Sequence, residues 1–149
     1  MPVVTFKAKS NLVHDKSLEV LNHVRDFTLT ANEPTDLGGT DKGMNPVEML
    51  LCALGSCQAI VARAFAKANN IELEAYWVEV EGDLDTDGFL KGVEGVRNGF
   101  QEIRFTPHFK TTASREDVER FQTFIDSRCP VGDNLLNSVP IVVADVVIE

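Results

Sequence analysis

The stretch Asn45–Asn69, NPVEMLLCALGSCQAIVARAFAKAN, decides the reading. Asn45 is a good N-cap and Pro46 suits the first helical position. Glu48, three residues after Asn45, completes a capping box. From Pro46 to about Asn69 only Gly55 weakens the pattern, which predicts a helix of ~24 residues and ~36 Å. Val47 to Leu54 is apolar almost all round, and such a helix is buried on more than one side. Two readings follow: a partner subunit covers part of it, or it is the central core helix of one chain.

Working outward, residues 2–10 alternate through Val4, Phe6 and Ala8 and predict a strand. Residues 17–31 read as extended, with Phe27, Leu29 and Ala31 on one side. NEPTDLGGTDKGMNP is a loop by its Gly, Pro and Asp content. Residues 71–84 alternate through Ile71, Leu73, Ala75 and Trp77, then again through Val78 and Val80. Residues 100–112 alternate through Ile103, Phe105 and Phe109. Between them Gly88, Gly92, Gly95 and Gly99 supply turn chemistry for a hairpin tip or a short extra strand. Ser114 with Asp117 starts a second helix, whose apolar face is Val118, Phe121, Phe124 and Ile125. It stops at Cys129-Pro130, because proline disfavours helix in the residue before it. A short helical turn follows in VGDNLLNS, and β-branched residues 140–148 read as a closing strand. The order strands, helix, strands, helix, strand predicts an α+β fold in a single domain over 1–149.

Composition excludes several classes of function. The chain has 149 residues, 44% hydrophobic and 25% charged, which is a globular balance. Its net charge of −9 repels phosphate backbones and anionic membrane surfaces, so neither nucleic acid nor membrane is an expected partner. No unbroken apolar run reaches the ~18–20 residues of a spanning helix. The start MPVVTFKAKS lacks a secretory pattern, and three cysteines make no secreted disulfide framework. These features predict a reducing, cytoplasmic setting.

His14, His23 and His108 are scattered, and no Cys-x-x-Cys or His-x-x-x-His pair exists, so no metal or cofactor is expected. GGTDKGMN fails the phosphate-loop pattern, since Lys42 precedes Gly43. The cysteines remain. Cys52 and Cys57 point ~140° apart on one helix, ~7.5 Å along its axis, outside disulfide reach. Cys57 shares a face with Leu50, Leu54, Val61 and Ala64, where cysteine commonly serves as a small hydrophobe. Cys52 reads as a packed core residue for the same reason. Cys129 precedes Pro130 and is either the N-cap of the next helix, a position that lowers a thiol pKa, or a turn residue.

LGGTDKGMNPVEMLLCALGSC, followed by RCPVGDNLL around Cys129, resembles the OsmC/Ohr family (osmotically inducible protein C and organic hydroperoxide resistance protein). The shared pattern is a Gly-rich loop, Asn-Pro, an acidic residue, an apolar helix ending in cysteine, and a later Cys-Pro-Val. The motifs cover residues 37–61 and 127–140. The resemblance implies a strongly curved, mostly antiparallel sheet packed on a long central helix and a second helix. It also implies an intertwined homodimer with active sites at the interface. By position, Cys57 becomes the peroxidatic cysteine and Cys129 the resolving one.

The implied reaction is reduction of an organic hydroperoxide to its alcohol. It passes through a sulfenic acid and a Cys57–Cys129 disulfide, which a thiol or dithiol reductant resets. Two departures stand out. Organic-hydroperoxide members carry an acidic residue directly after Asn-Pro, where this chain has Val47. Glu48, one later, is turned by ~100°, and it is the third site candidate. Those members also use an early-loop arginine, which His14-Asp15-Lys16 lacks; Lys16 and Arg25 are the substitutes to consider. The sequence therefore resembles the broader OsmC-like branch. The competing function is a catalytically weak protein that binds a small apolar ligand in the dimer-interface cleft.

Overall fold

The structure, a computed structural model, describes residues 2–14 and 16–149. Met1 and Asp15, the latter in the early loop considered above, lie outside the described residues. The chain divides into two compact units, Met1–Leu50 and Leu51–Glu149.

In the first unit, β1 (Lys9–Leu12), β2 (Val20–Val24) and β3 (Phe27–Ala31) form an antiparallel sheet in the order β1-β2-β3. Residues 17–31 are thus not one extended run. Val24 pairs with Phe27 across a two-residue turn, and Arg25 takes a left-handed φ of 53° there. Turns of this kind usually recruit Gly or Asn, so an arginine gave no signal. The strand expected over 2–10 is confined to its end. Residues 2–8 form no strand, and Val3, Val4 and Phe6 are exposed.

The buried Asn32 organises the Gly-rich loop. Its Oδ1 accepts from the backbone N–H groups of Glu33 and Thr40, both at 2.9 Å. A Cβ on Gly39 would stand 1.8 Å from the Glu33 carbonyl oxygen, so only glycine fits this turn. The loop delivers the chain to α1 (Pro46–Phe65). Asn45 Oδ1 accepts from Glu48 N at 2.9 Å and Glu48 Oε2 accepts from Asn45 N at 2.8 Å, which is the expected capping box.

Within the second unit, α1 buries Leu54, Gln58, Val61 and Ala62, a stripe at helical spacing. It ends at Phe65. A 3-10 turn over Lys67–Asn69 follows, and Asn70 then adopts a left-handed φ of 58°. By length and a mean hydropathy of 1.4, α1 meets the measure of a membrane span, contrary to the sequence reading. Glu48, Ser56, Gln58 and Arg63 interrupt the apolar run, but the average stays at that level.

The chain then forms β4 (Leu73–Leu84), the short α2 (Thr86–Phe89) and β5 (Phe100–Thr111). β4 and β5 pair antiparallel along their length. The hairpin tip contains α2, capped by Asp85, instead of an extra strand. A register shift between Leu73 and Ala75 changes which side chains face inward. Tyr76, Val78 and Val80 turn in, while Trp77 faces out and stacks on His108 at 4.8 Å.

The expected second helix is α3 (Arg115–Arg128), capped by Ser114 Oγ accepting from Asp117 N at 3.1 Å. The expected short helix is α4 (Pro130–Leu136). The core joins Val61, Ala62, Ile71, Leu73, Phe121 and Ile125, with Tyr76 and Phe109 against it. The structure is α+β, with antiparallel sheets as expected. Residues 140–148 form no strand and are exposed. Their β-branched pattern favours extension, but a ladder needs a second strand to pair with.

Candidate active site

Two helix boundaries bring the cysteines together. Cys57 lies midway along α1 and is half-buried. α3 ends where Pro130 forbids its continuation, and that kink turns Cys129 inward to only 2% exposure. Cys129 is both the last cap of α3 and the N-cap of α4. Its Sγ accepts from the Gly132 backbone N–H at 3.3 Å, so the N-cap reading is the correct one. Leu54, one turn before Cys57, closes the other side: a Cβ on Gly132 would touch Cys129 Sγ at 3.4 Å and Leu54 Cδ1 at 3.9 Å.

The two thiols, 72 residues apart in sequence, lie near enough for Cys129 to act on the Cys57 thiol. The Val131 backbone N–H also acts on the Cys57 sulfur. The first N–H groups of α4 are unused by the helix itself, and here they act on both sulfurs. Burial pushes the Cys57 thiol up from its ordinary value, the neighbouring Cys129 thiol pushes the same way, and the Val131 N–H pulls down. The net direction is upward, so Cys57 in this chain alone is mostly thiol at neutral pH. All three cysteines are free.

A polar set beside the pair escaped the sequence reading. Gln58 is 2% exposed, and its Oε1 accepts from Gln122 Nε2 at 2.9 Å. Gln122 Nε2 also donates to Asp126 Oδ1 at 2.8 Å. The signal was present: Gln58 is the polar member of an otherwise apolar stripe. The hydroxyl of Tyr76 is buried and has no hydrogen-bond partner among the described residues.

The remaining candidates sit as follows. Glu48 is exposed and holds the helix start through its box with Asn45. Nine residues of α-helix separate it from Cys57, about half a turn round the axis. Lys16 has a left-handed φ of 66°. The Arg25 guanidinium lies over the Phe27 ring at 5.0 Å. Cys52 is exposed on α1, which corrects its expected core placement. Among the described residues no three His, Cys, Asp or Glu side chains gather as metal ligands.

The model of the OsmC-like protein family matches residues 39–144, running across the boundary between the two units. The chain is 27% identical over 124 residues to a hydroperoxide reductase of Mycoplasma genitalium, covering 81% of this chain and 79% of that one. It is 26% identical over 127 residues to the hydroperoxide reductase of Mycoplasma pneumoniae, covering 83% and 82%. Among solved structures, an OsmC-like protein from Mycoplasma pneumoniae superposes with a TM-score of 0.78 at 21% identity, covering 91% of this chain and 89% of the other. An organic hydroperoxide resistance protein from Legionella pneumophila gives 0.64 at 20% identity, covering 91% of each.

Proposed function

The chain belongs to the OsmC-like protein family, and from that premise we propose that it is a cysteine-based peroxidase reducing organic hydroperoxides to alcohols. The observation that carries this reading is that the Cys129 thiol is near enough to Cys57 to act on it. The names of the Mycoplasma relatives agree with it.

In the proposed reaction the Cys57 thiolate attacks the peroxide O–O bond. One oxygen stays on sulfur as sulfenic acid, and the other leaves with a proton as the alcohol. Cys129 then attacks the Cys57 sulfur. The S–O bond breaks, water leaves and the disulfide forms. A thiol or dithiol reductant restores both thiols. Cys57 is the peroxidatic residue and Cys129 the resolving one. Glu48 acts as a positioning residue, through the start of the helix that carries Cys57. Leu54 beside the pair favours an organic peroxide over hydrogen peroxide.

A homodimer belongs to this proposal. Leu50, Ile60 and Phe65 on α1 are exposed, as are Ile141, Val142, Val143, Val146, Val147 and Ile148. A second copy of the chain would cover such apolar surface and pair the unpaired 140–148 segment. The raised Cys57 thiol favours a second reading, a weakly catalytic protein that binds an apolar ligand.

The test is a thiol titration after one equivalent of cumene hydroperoxide, with hydrogen peroxide in parallel and mass spectrometry to locate the bond. The expected result is loss of two thiols per chain, a Cys57–Cys129 disulfide, and faster reaction with cumene hydroperoxide. Cys57→Ser abolishes the reaction, and Cys129→Ser leaves a single oxidation followed by overoxidation. Full activity in Cys57→Ser sinks the mechanism, and no thiol loss over many minutes favours the ligand-binding reading. The rate of Cys57 oxidation climbs with pH through and beyond neutrality. Its thiol is raised, so the reactive thiolate accumulates only as pH increases.

A further inference from the structure

α1 and α3 meet through apolar side chains. Val61 and Ala62 of α1 join Phe121 and Ile125 of α3 in the core, and Phe65 meets the Phe124 ring edge-on at 5.3 Å. A polar bond stands among them: Gln58 Oε1 accepts from Gln122 Nε2 at 2.9 Å, and Gln58 is only 2% exposed. The direction of the bond is fixed. Gln122 Nε2 also donates to the Asp126 carboxylate at 2.8 Å, and a reversed Gln122 amide would set its oxygen against that carboxylate. The pair is costly to bury. Gln122 Oε1 is sealed from solvent with no hydrogen-bond partner among the described residues, and a buried carbonyl left unpaired destabilises the fold. Two leucines would fill the same place without that penalty, so stability does not account for the two amides.

Their position accounts for them. Gln58 follows Cys57 directly, and Leu54 precedes Cys57 by about one turn. Leu54 Cδ1 and Cys129 Sγ both flank Gly132, where a Cβ would stand 3.9 and 3.4 Å from them. Gln122 lies two helical turns before Cys129, or ~10.5 Å of α3. Cys57 is therefore bracketed on α1 by a residue bonded to α3 and a residue set against the junction that carries Cys129. Apolar contact is non-directional and lets one helix slide on another. A hydrogen bond demands a set separation and angle.

We propose that Gln58 and Gln122 are positioning residues of the cysteine pair: their bond fixes the register of α1 against α3, and with it the approach of Cys57 to Cys129. The inference rests on the Cys57–Cys129 disulfide of the proposed peroxidase for its purpose. The amides hold the thiols in place and exchange no proton or electron with them.

The test uses the full chain carrying Cys52→Ser, in which Cys57 and Cys129 are the remaining thiols. Oxidised glutathione takes two electrons and two protons from the pair, closes their disulfide and leaves as two glutathione thiols. Mixtures of reduced and oxidised glutathione, read by alkylation and mass spectrometry, give the equilibrium constant. Gln58→Leu/Gln122→Leu is expected to lower that constant about tenfold, which is ~30 mV for a two-electron couple. The urea midpoint of its reduced form should stay level or rise, because both partners are replaced by apolar groups. A fall in the constant without a fall in the midpoint is the mark of positioning. An unchanged constant overturns the proposal. A fallen constant with a lowered midpoint also overturns it, since the pair then acts through stability alone. If the double variant does not fold, Gln122→Met decides by the same constant: a tenfold loss supports the clamp and no change overturns it. A parent chain that forms no Cys57–Cys129 disulfide in any mixture strikes the peroxidase reading and the clamp with it. A parent disulfide whose equilibrium ignores the leucines strikes the clamp alone.

Discussion

The two faces of α1 both carry apolar residues, in different surroundings. The inner face holds Leu54, Gln58, Val61 and Ala62, all buried against the second unit's own core. The outer face holds Cys52 and Ile60, both exposed, with Ile60 at 69%. Apolar periodicity reports that a helix is covered, but not by what. The inner stripe is specified by contacts within the chain. The outer residues have no cover within the chain, and under the proposed function a second copy covers them.

Three substitutions test this contrast. Phe121 is 1% exposed in the cluster that receives the inner stripe. Phe121→Ala should cost about 3–5 kcal/mol, read by urea unfolding. A loss below about 1 kcal/mol would show that the inner face is not the anchored one. Gly55 of α1 lies close against β4, where a Cβ would stand 3.3 Å from Val78 Cγ1 and 3.4 Å from Val80 Cγ2. Gly55→Val should destabilise by about 1–3 kcal/mol through overpacking, visible as a lowered melting temperature. Ile60→Lys should leave the intrinsic stability of the isolated protomer within about 0.5 kcal/mol. Under the proposed homodimer it should nevertheless give a monomer in sedimentation and speed alkylation of Cys52 on the same face. An Ile60→Lys protein that remains dimeric would place the interface elsewhere.

The features legible in the sequence are the local ones. The Asn45–Glu48 box, the Ser114 cap and the stop at Cys129-Pro130 each depend on residues within one helical turn, and each stands where expected. The Arg25 turn was not legible, because a left-handed φ at arginine has no compositional mark. The inward placement of Tyr76 was hidden by the shift between Leu73 and Ala75, which reverses the alternation. Residues 2–8 and 140–148 read as strands because strand propensity is local, whereas strand pairing is not. The meeting of Cys57 and Cys129 lay beyond spacing arguments, since 72 residues of chain separate them. Only the family resemblance put the two together in advance. Gln58 could have been noticed as a polar residue in an apolar stripe, but its partner Gln122 lies 64 residues away.

The sulfur of Cys129 is also structural mortar for a seven-residue helix, since it accepts the Gly132 N–H at the start of α4. Helices so short have little stability of their own. The choice of a redox-dead replacement at this position is therefore not neutral. Serine keeps an acceptor at the cap. Alanine removes it, for a difference of about 0.5–2 kcal/mol. A Cys129→Ala protein would confound loss of chemistry with loosening of residues 130–136, and Val131, whose N–H acts on Cys57, lies within that segment. Cys129→Ser separates the two, and comparing the pair of variants measures how much of the thiol's contribution is mechanical.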